Sequence, residues 1–422
     1  MDKLLTAEDP LYEKFFDVEN EAQGQGGEAL ADFNPLLKRL RERGPVLEGS
    51  LHRHLGQPSP FDTQRPEYVA LSFNACERAF RENLTFTSYA YNESRGVPHL
   101  GSILLNKIGQ EHRNYRATAQ AMFFKTESVN WWRPKHIDRT MTALLDRLEG
   151  METPDLNLEF CARIPVNIVS QGVGLNGEDA LIFREHLLTA ISGRGSTPAQ
   201  QQTARDETSR MLRELVVQRR VEAQDDLISR LILADYESPE GRRKLTDDEV
   251  IGFSRHLLLA GGGTTWRQLG ITIHALLSDR ANWEACLDYR ALVDDAVEEA
   301  TRWNATGPVF PRLVLEETEL EGVILPAGAR VDLCLGAANR DPARWDHPDE
   351  FDMFRKRQAH LGFGYGPHLC LGQHVARQMM VVAIRGLLDR FPAMRLNPEA
   401  PAPRLTGGVQ QRGLSAIPVI LR

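Results

Sequence analysis

The stretch Phe363–Gly372 reads FGYGPHLCLG, and Cys370 within it is the residue of this chain best placed to do chemistry. Glycines at 364 and 366 permit backbone conformations closed to other residues and let a flat group approach the main chain. Pro367 stiffens the loop. A long helical pattern, LGQHVARQMMVVAIRGLLDRF, follows at once. A thiol at a helix N-terminus sees the positive end of the dipole and unpaired N–H groups. Both favour the thiolate, and a thiolate is a metal ligand.

Four readings suit one such cysteine. A buried structural thiol does not require glycines at 364, 366 and 372. A zinc site shared with His374 at i+4 has no second Cys/His pair at finger-like spacing. A phosphate cradle has no Gly-Lys-Ser/Thr sequence. A thiolate fixing a haem iron from one side needs one cysteine, close backbone approach and N–H donors beside the sulfur. The stretch resembles the haem-ligand loop of the cytochrome P450 family: Phe, two residues, Gly, one residue, Arg or His, one residue, Cys, one residue, Gly. Phe363, Gly366, His368, Cys370 and Gly372 match every fixed position.

Other segments follow in the family's order, so the resemblance spans from about residue 67 to the end. EEATR carries Glu299 and Arg302, three apart on one helix face and able to pair. The resemblance implies a lock completed by Arg355 in FDMFR, with AANRDPARWDHPDEF before it. GQEHRNYR carries His112 and Arg116 at i, i+4, which by themselves read equally as an exposed basic turn. By resemblance, His112, Arg116, Arg312 (in GPVFPRLVL) and His368 face the two haem propionates, a buried dianion that needs partners. Phe363, Gly364, Gly372 and Ala260 are further expected haem contacts. The resemblance implies haem b, with Cys370 as its iron ligand.

The family usually places Ala/Gly-Gly-x-Asp/Glu-Thr-Thr/Ser over the haem. Here the residues are Ala260-Gly261-Gly262-Gly263-Thr264-Thr265, so the threonine is kept and the acid is a glycine. The expected catalytic group is Thr264 with Gly263 and Thr265, the Thr264 hydroxyl donating a hydrogen bond where dioxygen is activated. The helix is expected to loosen there into a groove. Proton supply without the acid falls to water or to another group. Expected pocket residues are Gly261, Val309, Phe310, Tyr89 and Val409. Their apolar character with a few hydroxyls points to a small-to-medium hydrophobic substrate.

These residues need a scaffold to position them. No proline lies between Pro239 and Pro308, so that stretch reads as successive helices. Thr246 caps a helix with acids in its first turn, and the apolar pattern carries it to about Ser278. Strand signals are sparse: Glu67–Ser72, a hairpin over Val323–Leu335 turning at Pro326-Ala327-Gly328, and a short strand in the tail SAIPVIL. Arg194–Glu207 reads as a mobile connection or a frayed helix start. The fold class is mainly α with a small β region (α+β). The resemblance implies one large haem domain over residues 1–422, with 1–40 expected as a peripheral segment, a long central helix over the haem and no fused reductase.

With 422 residues, 42% apolar and 26% charged, the composition is that of a chain with a large core. A net charge of −8 argues against nucleic acid as the main partner. No apolar run reaches membrane-span length, so no membrane anchor is expected, and the N-terminus lacks a signal-peptide core. Five widely spaced cysteines fit reduced thiols in a cytoplasm, four of them filling space. The expected activity is a monooxygenase inserting one atom of O₂ into a hydrophobic compound. By resemblance, electrons are expected from a ferredoxin and a ferredoxin reductase, steered by a basic patch of FRKR (354–357) and Arg377. The alternative, kept open by Gly263, is non-hydroxylating haem-thiolate chemistry: peroxide use, oxidative coupling or dehydration. A non-catalytic haem or ligand carrier would have no need of Thr264.

Overall fold

The computed structural model describes residues 30–61, 64–94, 97–192 and 196–422. The long helix spans Asp247–Ser278, about 48 Å at 1.5 Å per residue. Its start is a reciprocal capping box. Thr246 Oγ1 accepts from Glu249 N–H, and Glu249 Oε2 accepts from Thr246 N–H at 2.8 Å. Trp266, Leu269, Ile273 and Leu276 bury its C-terminal half in the main apolar cluster. Helices Arg280–Asp288 and Leu292–Trp303 follow, as the proline-free stretch leads one to expect. The helix after the cysteine loop runs Gln373–Arg390 and packs Val375, Met379, Ile384 and Leu387 into the same cluster.

A five-stranded sheet stands beside this helical body in the order Val46–Glu48, Glu67–Ala70, Arg330–Cys334, Val309–Val314, Phe86–Thr87. Only Glu67–Ala70 and Arg330–Cys334 pair in parallel. Among the described residues four two-stranded ribbons accompany the sheet, one of them joining the tail strand Val419–Ile420 to Arg395–Leu396. Among the described residues no helix is long and apolar enough to cross a membrane.

Three sequence expectations change. Val323–Leu325 and Arg330–Cys334 are both strands but do not pair with each other. Val323–Leu325 turns back on Thr318–Leu320, and Arg330–Cys334 enters the large sheet. The ribbon turns at Glu321-Gly322, both at positive φ, so the sharp reversal precedes the proline. Residues 30–40 are not peripheral. Phe33, Leu37 and Leu40 are buried against Val69, Leu71 and Cys334, and Arg412 holds the carbonyls of Leu30 and Ala31 at 2.8 Å; residues 1–29 lie outside the described set. Of the 194–207 segment, Thr197 caps a helix that runs Pro198–Val221, and 194–195 fall outside the described residues.

Candidate active site

The loop before Cys370 is shaped by close approach to its neighbours. Gly364 and Gly366 have φ of 72° and 67°. A Cβ on Gly366 would stand 2.6 Å from the Phe80 carbonyl oxygen, so both its dihedral and its space require glycine. Cys370 N–H donates to Phe363 O at 2.9 Å, closing the loop, and Gly372 is the N-cap of the following helix. At Gly372 a side chain would meet no protein atom within 4 Å, so nothing in the chain itself requires glycine there.

Cys76, Cys161, Cys286 and Cys334 are buried, whereas Cys370 is half-buried. Burial pushes the Cys370 thiol up. The N–H of Gly372, the guanidinium groups of Arg116 and Arg377, and the N–H of Gln373 all oppose that shift. The donors expected from the helix start are present, but in the protein alone burial outweighs them. A coordinated metal deprotonates a thiol outright and would reverse that balance. Among the described residues no group of three or more His, Cys, Asp or Glu could hold a metal ion, which leaves the zinc reading without ligands.

Four cationic or donor groups converge beside this loop. His112, 1% exposed, stacks on His368 with ring centroids 4.0 Å apart, and neither of its ring nitrogens has a hydrogen-bond partner. Arg312 donates to Pro311 O at 2.8 Å and leaves its buried Nε unpartnered. Burial lowers Arg116, with Cys370 the opposing influence. Burial, His112, Arg312, Arg116 and His256 together hold His368 down at about 2. A ring of buried donors without a carboxylate among the causes acting on it fits an anionic group such as two propionates. Ser88 and Tyr91 belong to the same ring; the sequence offers their segment, Thr87–Ser94, only as a weaker pocket candidate and gives these two no part in holding an anion. Ser88 Oγ lies 3.4 Å from His368 Nε2, and Tyr91 is the group that opposes the effect of burial on Arg312. Both stand in a short 3₁₀ segment with no chemical signature of its own.

This cluster gives a pH prediction. Burial, with Arg116 and Arg113, lowers His112 from 6.5 to about 4. A histidine depressed on folding contributes stability that is present above the unfolded value and lost as pH falls toward the folded one. The haem-free chain should therefore lose melting temperature between pH 6.5 and about 4. Haem-loaded protein, with anionic partners at the ring, should lose less, which parallel melts at both pH values check. Equal losses in both forms would remove His112 from the propionate site.

Across from these groups the long helix presents an accessible stripe. Residues 250–255 and 265–273 are buried, whereas Ala260 is exposed and His256, Leu257, Leu259, Gly261 and Thr264 are half-buried. His256, Ala260 and Thr264 follow one another at i+4, so they share a face. His256 keeps a buried, unpartnered Nδ1 and, held neutral at about 4 by burial, is a polar group the sequence did not flag. Thr264 Oγ1 donates to Ala260 O at 2.9 Å. Thr265, 5% exposed, is buried in the helix packing rather than on this stripe.

The helix does not loosen at 260–265; it is α-helical throughout. Its glycines serve close packing instead. A Cβ on Gly261 would meet Val169 at 3.1 Å, and one on Gly262 would meet Arg184 Nη1 at 3.0 Å. Gly261 therefore points its missing side chain at a neighbouring helix. At Gly263, Arg267 donates from Nη1 to the carbonyl at 2.6 Å and lies 3.3 Å from where a Cβ would stand, with Gln411 Oε1 at 3.6 Å. A guanidinium thus flanks the position where the family's acid would be, and burial lowers Arg267 to about 9. Gly263→Asp should fold, since both neighbours are the far ends of flexible side chains, and should pair with Arg267. The expected result is a few-fold change in the ratio of product to peroxide, well below the ~10²-fold effect of a full general acid. An unchanged ratio and solvent isotope effect would make the glycine mechanistically silent.

The remaining pocket residues separate. Phe310 shares a strand face with Arg312 and packs toward Phe80, ring centroids 6.4 Å apart. Val309 faces the other way, buried with Val409 in the cluster of Phe33 and Leu37, so neither valine joins Phe310. Tyr89 is half-buried in the segment carrying Ser88 and Tyr91. Phe363 is half-buried against the main cluster.

Beneath the loop, Glu299 accepts from Arg302 at 2.7 and 2.8 Å and from Arg355 Nε at 3.2 Å, bringing the expected lock together. The basic patch does not form as expected. Arg355 is in that lock, Arg357 pairs with Asp295, and Arg377 pairs with Glu298. Arg355 and Arg377 are drawn into internal ion pairs, whereas Lys356 and Arg357 stay exposed.

The sequence pattern of the family described as Cytochrome P450 matches residues 279–412. Cytochrome P450 105C1 of Streptomyces sp is 32% identical over 387 residues, 91% of this chain and 94% of that one. Cytochrome P450 monooxygenase PikC of Streptomyces venezuelae is 33% identical over 407 residues, 93% and 92% of the two chains. A crystal structure of CYP109E1 from Bacillus megaterium in complex with testosterone superposes with a TM-score of 0.79 at 26% identity, covering 93% of this chain and 99% of that one.

Proposed function

The chain belongs to the cytochrome P450 family of haem-thiolate monooxygenases, and from that premise we propose that it inserts one oxygen atom of O₂ into a small-to-medium, largely apolar organic compound. The observation that carries this reading is the pairing of two surfaces. One is the cysteine loop with the unpartnered nitrogens of His112 and Arg312 beside it. The other is the accessible stripe of the long helix. The cofactor is haem b, held by Cys370 through sulfur and by His112, Arg116, Arg312 and His368 through its carboxylates. When bound, a thiolate-ligated haem supplies cleavage of the O–O bond and oxidation of unactivated C–H bonds.

The chain's own residues do the rest. Ala260 gives the stripe an apolar centre, and the half-buried Leu257 and Leu259 flank it on opposite edges where they pack into the main cluster, which favours a hydrophobic substrate. Phe310, on the strand face of Arg312, is the expected pocket residue from the sheet. His256 and Thr264 are the polar points of the stripe. Thr264 gives its hydroxyl proton to the Ala260 carbonyl at rest, and rotation about Cβ–Oγ1 turns that proton toward the reaction side. With no carboxylate at 263, Thr264 is the hydroxyl on this face that can hold a proton in place. Thr264→Ala should lower product formation on the order of 10²-fold while reducing equivalents go to peroxide. Stopped assays of product and peroxide check this; unchanged coupling removes Thr264 from the proton path.

The electron donors are a ferredoxin and its flavin reductase in the cytoplasm. The test is a screen of hydrophobic compounds for a haem spin-state shift, followed by turnover with those that shift it. The monooxygenase reading expects substrate-dependent consumption of O₂ and reducing equivalents in step with hydroxylated product. Product formed from peroxide alone, with O₂ untouched, would favour the non-hydroxylating chemistry that Gly263 leaves open.

A further inference from the structure

Two adjacent glutamates on the helix Leu292–Trp303 face different partners. Glu299 holds Arg302 and Arg355. Glu298, about 100° around the helix, faces the segment that enters the cysteine loop. Its carboxylate takes Arg377 in a fork, Nε to Oε1 at 2.5 Å and Nη2 to Oε2 at 3.1 Å. It also takes His360 Nε2 at 3.2 Å. The other ring nitrogen, Nδ1, accepts the Gly362 N–H at 3.0 Å, so the proton sits on Nε2 and points at Glu298.

The chain of contacts continues to the sulfur. A Cβ on Gly362 would stand 2.6 Å from the Thr301 carbonyl oxygen, so the loop lies directly on the helix that carries Glu298. The Arg377 guanidinium lies 4.2 Å from the centre of the Phe363 ring. Phe363 O accepts the Cys370 N–H. Arg377 thus clamps the loop's first residue from the helix that follows Cys370, and Glu298 holds both Arg377 and His360. The side chains of Glu298, His360 and Arg377 are 22%, 7% and 26% exposed, which leaves their pairing sheltered from full solvent screening.

We propose that Glu298, His360 and Arg377 form a second lock, separate from Glu299–Arg302–Arg355, that positions the Phe363–Cys370 loop and keeps the sulfur in ligating geometry. The three are positioning residues, acting through the backbone of Gly362 and the ring of Phe363. The proposal rests on the reading of Cys370 as the haem ligand. It also reassigns Arg377 from a docking cation to an internal clamp.

The test uses haem-loaded full-length protein and two variants. Glu298→Gln keeps the shape and removes the charge. His360→Asn keeps an acceptor near Gly362 and loses the reach to Glu298. Both should bind haem at wild-type stoichiometry. Their reduced, carbon-monoxide-bound forms should pass from the thiolate-type Soret band to the shorter-wavelength band roughly tenfold faster in mild denaturant, a ratio worth about 1.4 kcal/mol. The haem midpoint potential should shift in both variants under native conditions. If Glu298→Gln does not fold, His360→Asn alone decides. Wild-type conversion rates and potentials in the folded variants would overturn the lock. So would a drop in the haem-free melting temperature with both spectroscopic readouts unchanged, because that is the signature of a merely structural role. Absence of the thiolate-type band in the wild type is a different failure, since it removes Cys370 as ligand and the lock with it.

Discussion

Cys370→Ser should fold, keep its helix start and lose monooxygenase turnover altogether. Serine is close in size to cysteine, and the loop closure at this residue is a backbone bond from its N–H to Phe363 O. The haem-free variant should therefore melt within a few degrees of wild type. The chemistry does not survive, because a serine hydroxyl stays protonated where a coordinated thiol ionises. The N–H groups of Gly372 and Gln373 that act on the sulfur would hold a neutral oxygen instead. The push of electron density that drives O–O cleavage is then absent. Steady-state product formation under saturating reductant checks this. Retained turnover would require one of the buried thiols, Cys76, Cys161, Cys286 or Cys334, to reach the iron.

Arg302→Ala should destabilise the haem-free chain by about 3–5 kcal/mol, the cost of leaving a buried charge without its partner. Arg302 and Glu299 are 3% and 7% exposed. The guanidinium uses every N–H it has. Nε and Nη2 hold Glu299, Nη1 holds the carbonyls of Asn339 and Pro348, and Nη2 also holds Glu350 O. Alanine leaves Glu299 with Arg355 and the Asp352 N–H and withdraws the guanidinium from three carbonyls. Arg302→Lys should recover little, since an ammonium has three donors and no planar fork. Against a typical total of about 5–15 kcal/mol, the loss is a large share of stability. Denaturant titration of the haem-free protein measures it. A change below about 1 kcal/mol would mean that the pair is solvated and not a lock.

What could be read in the sequence was whatever depends on local spacing. The loop around Cys370, the cap at Thr246, the run of helices to Trp303 and the Glu299–Arg302 pair are all short-range patterns. What could not be read depends on which distant residue arrives. Arg377 and Glu298 are far apart in sequence, and only the fold makes them partners, so a run of positive charge looked like a docking patch. Val309 and Phe310 are neighbours, but a strand sends them to opposite faces, and nothing local says which face meets the site. Gly261 read as part of a loosened groove, while close packing was already a reading open to Gly262. At both, a neighbour stands close to where a side chain would begin, Val169 at 3.1 Å and the end of Arg184 at 3.0 Å. His256 passed unnoticed because a lone histidine in an apolar run carries no pattern of its own. The hairpin over Val323–Leu335 failed because two strand signals flanking a turn do not say whether they pair with each other.

The account depends most on sulfur from residue 370 binding the iron of a haem, and one spectrum tests that directly. Purified protein loaded with haem, reduced and exposed to carbon monoxide, should give the long-wavelength Soret band of a thiolate-ligated iron. A band of the histidine type, or a protein that takes up no haem, would contradict it.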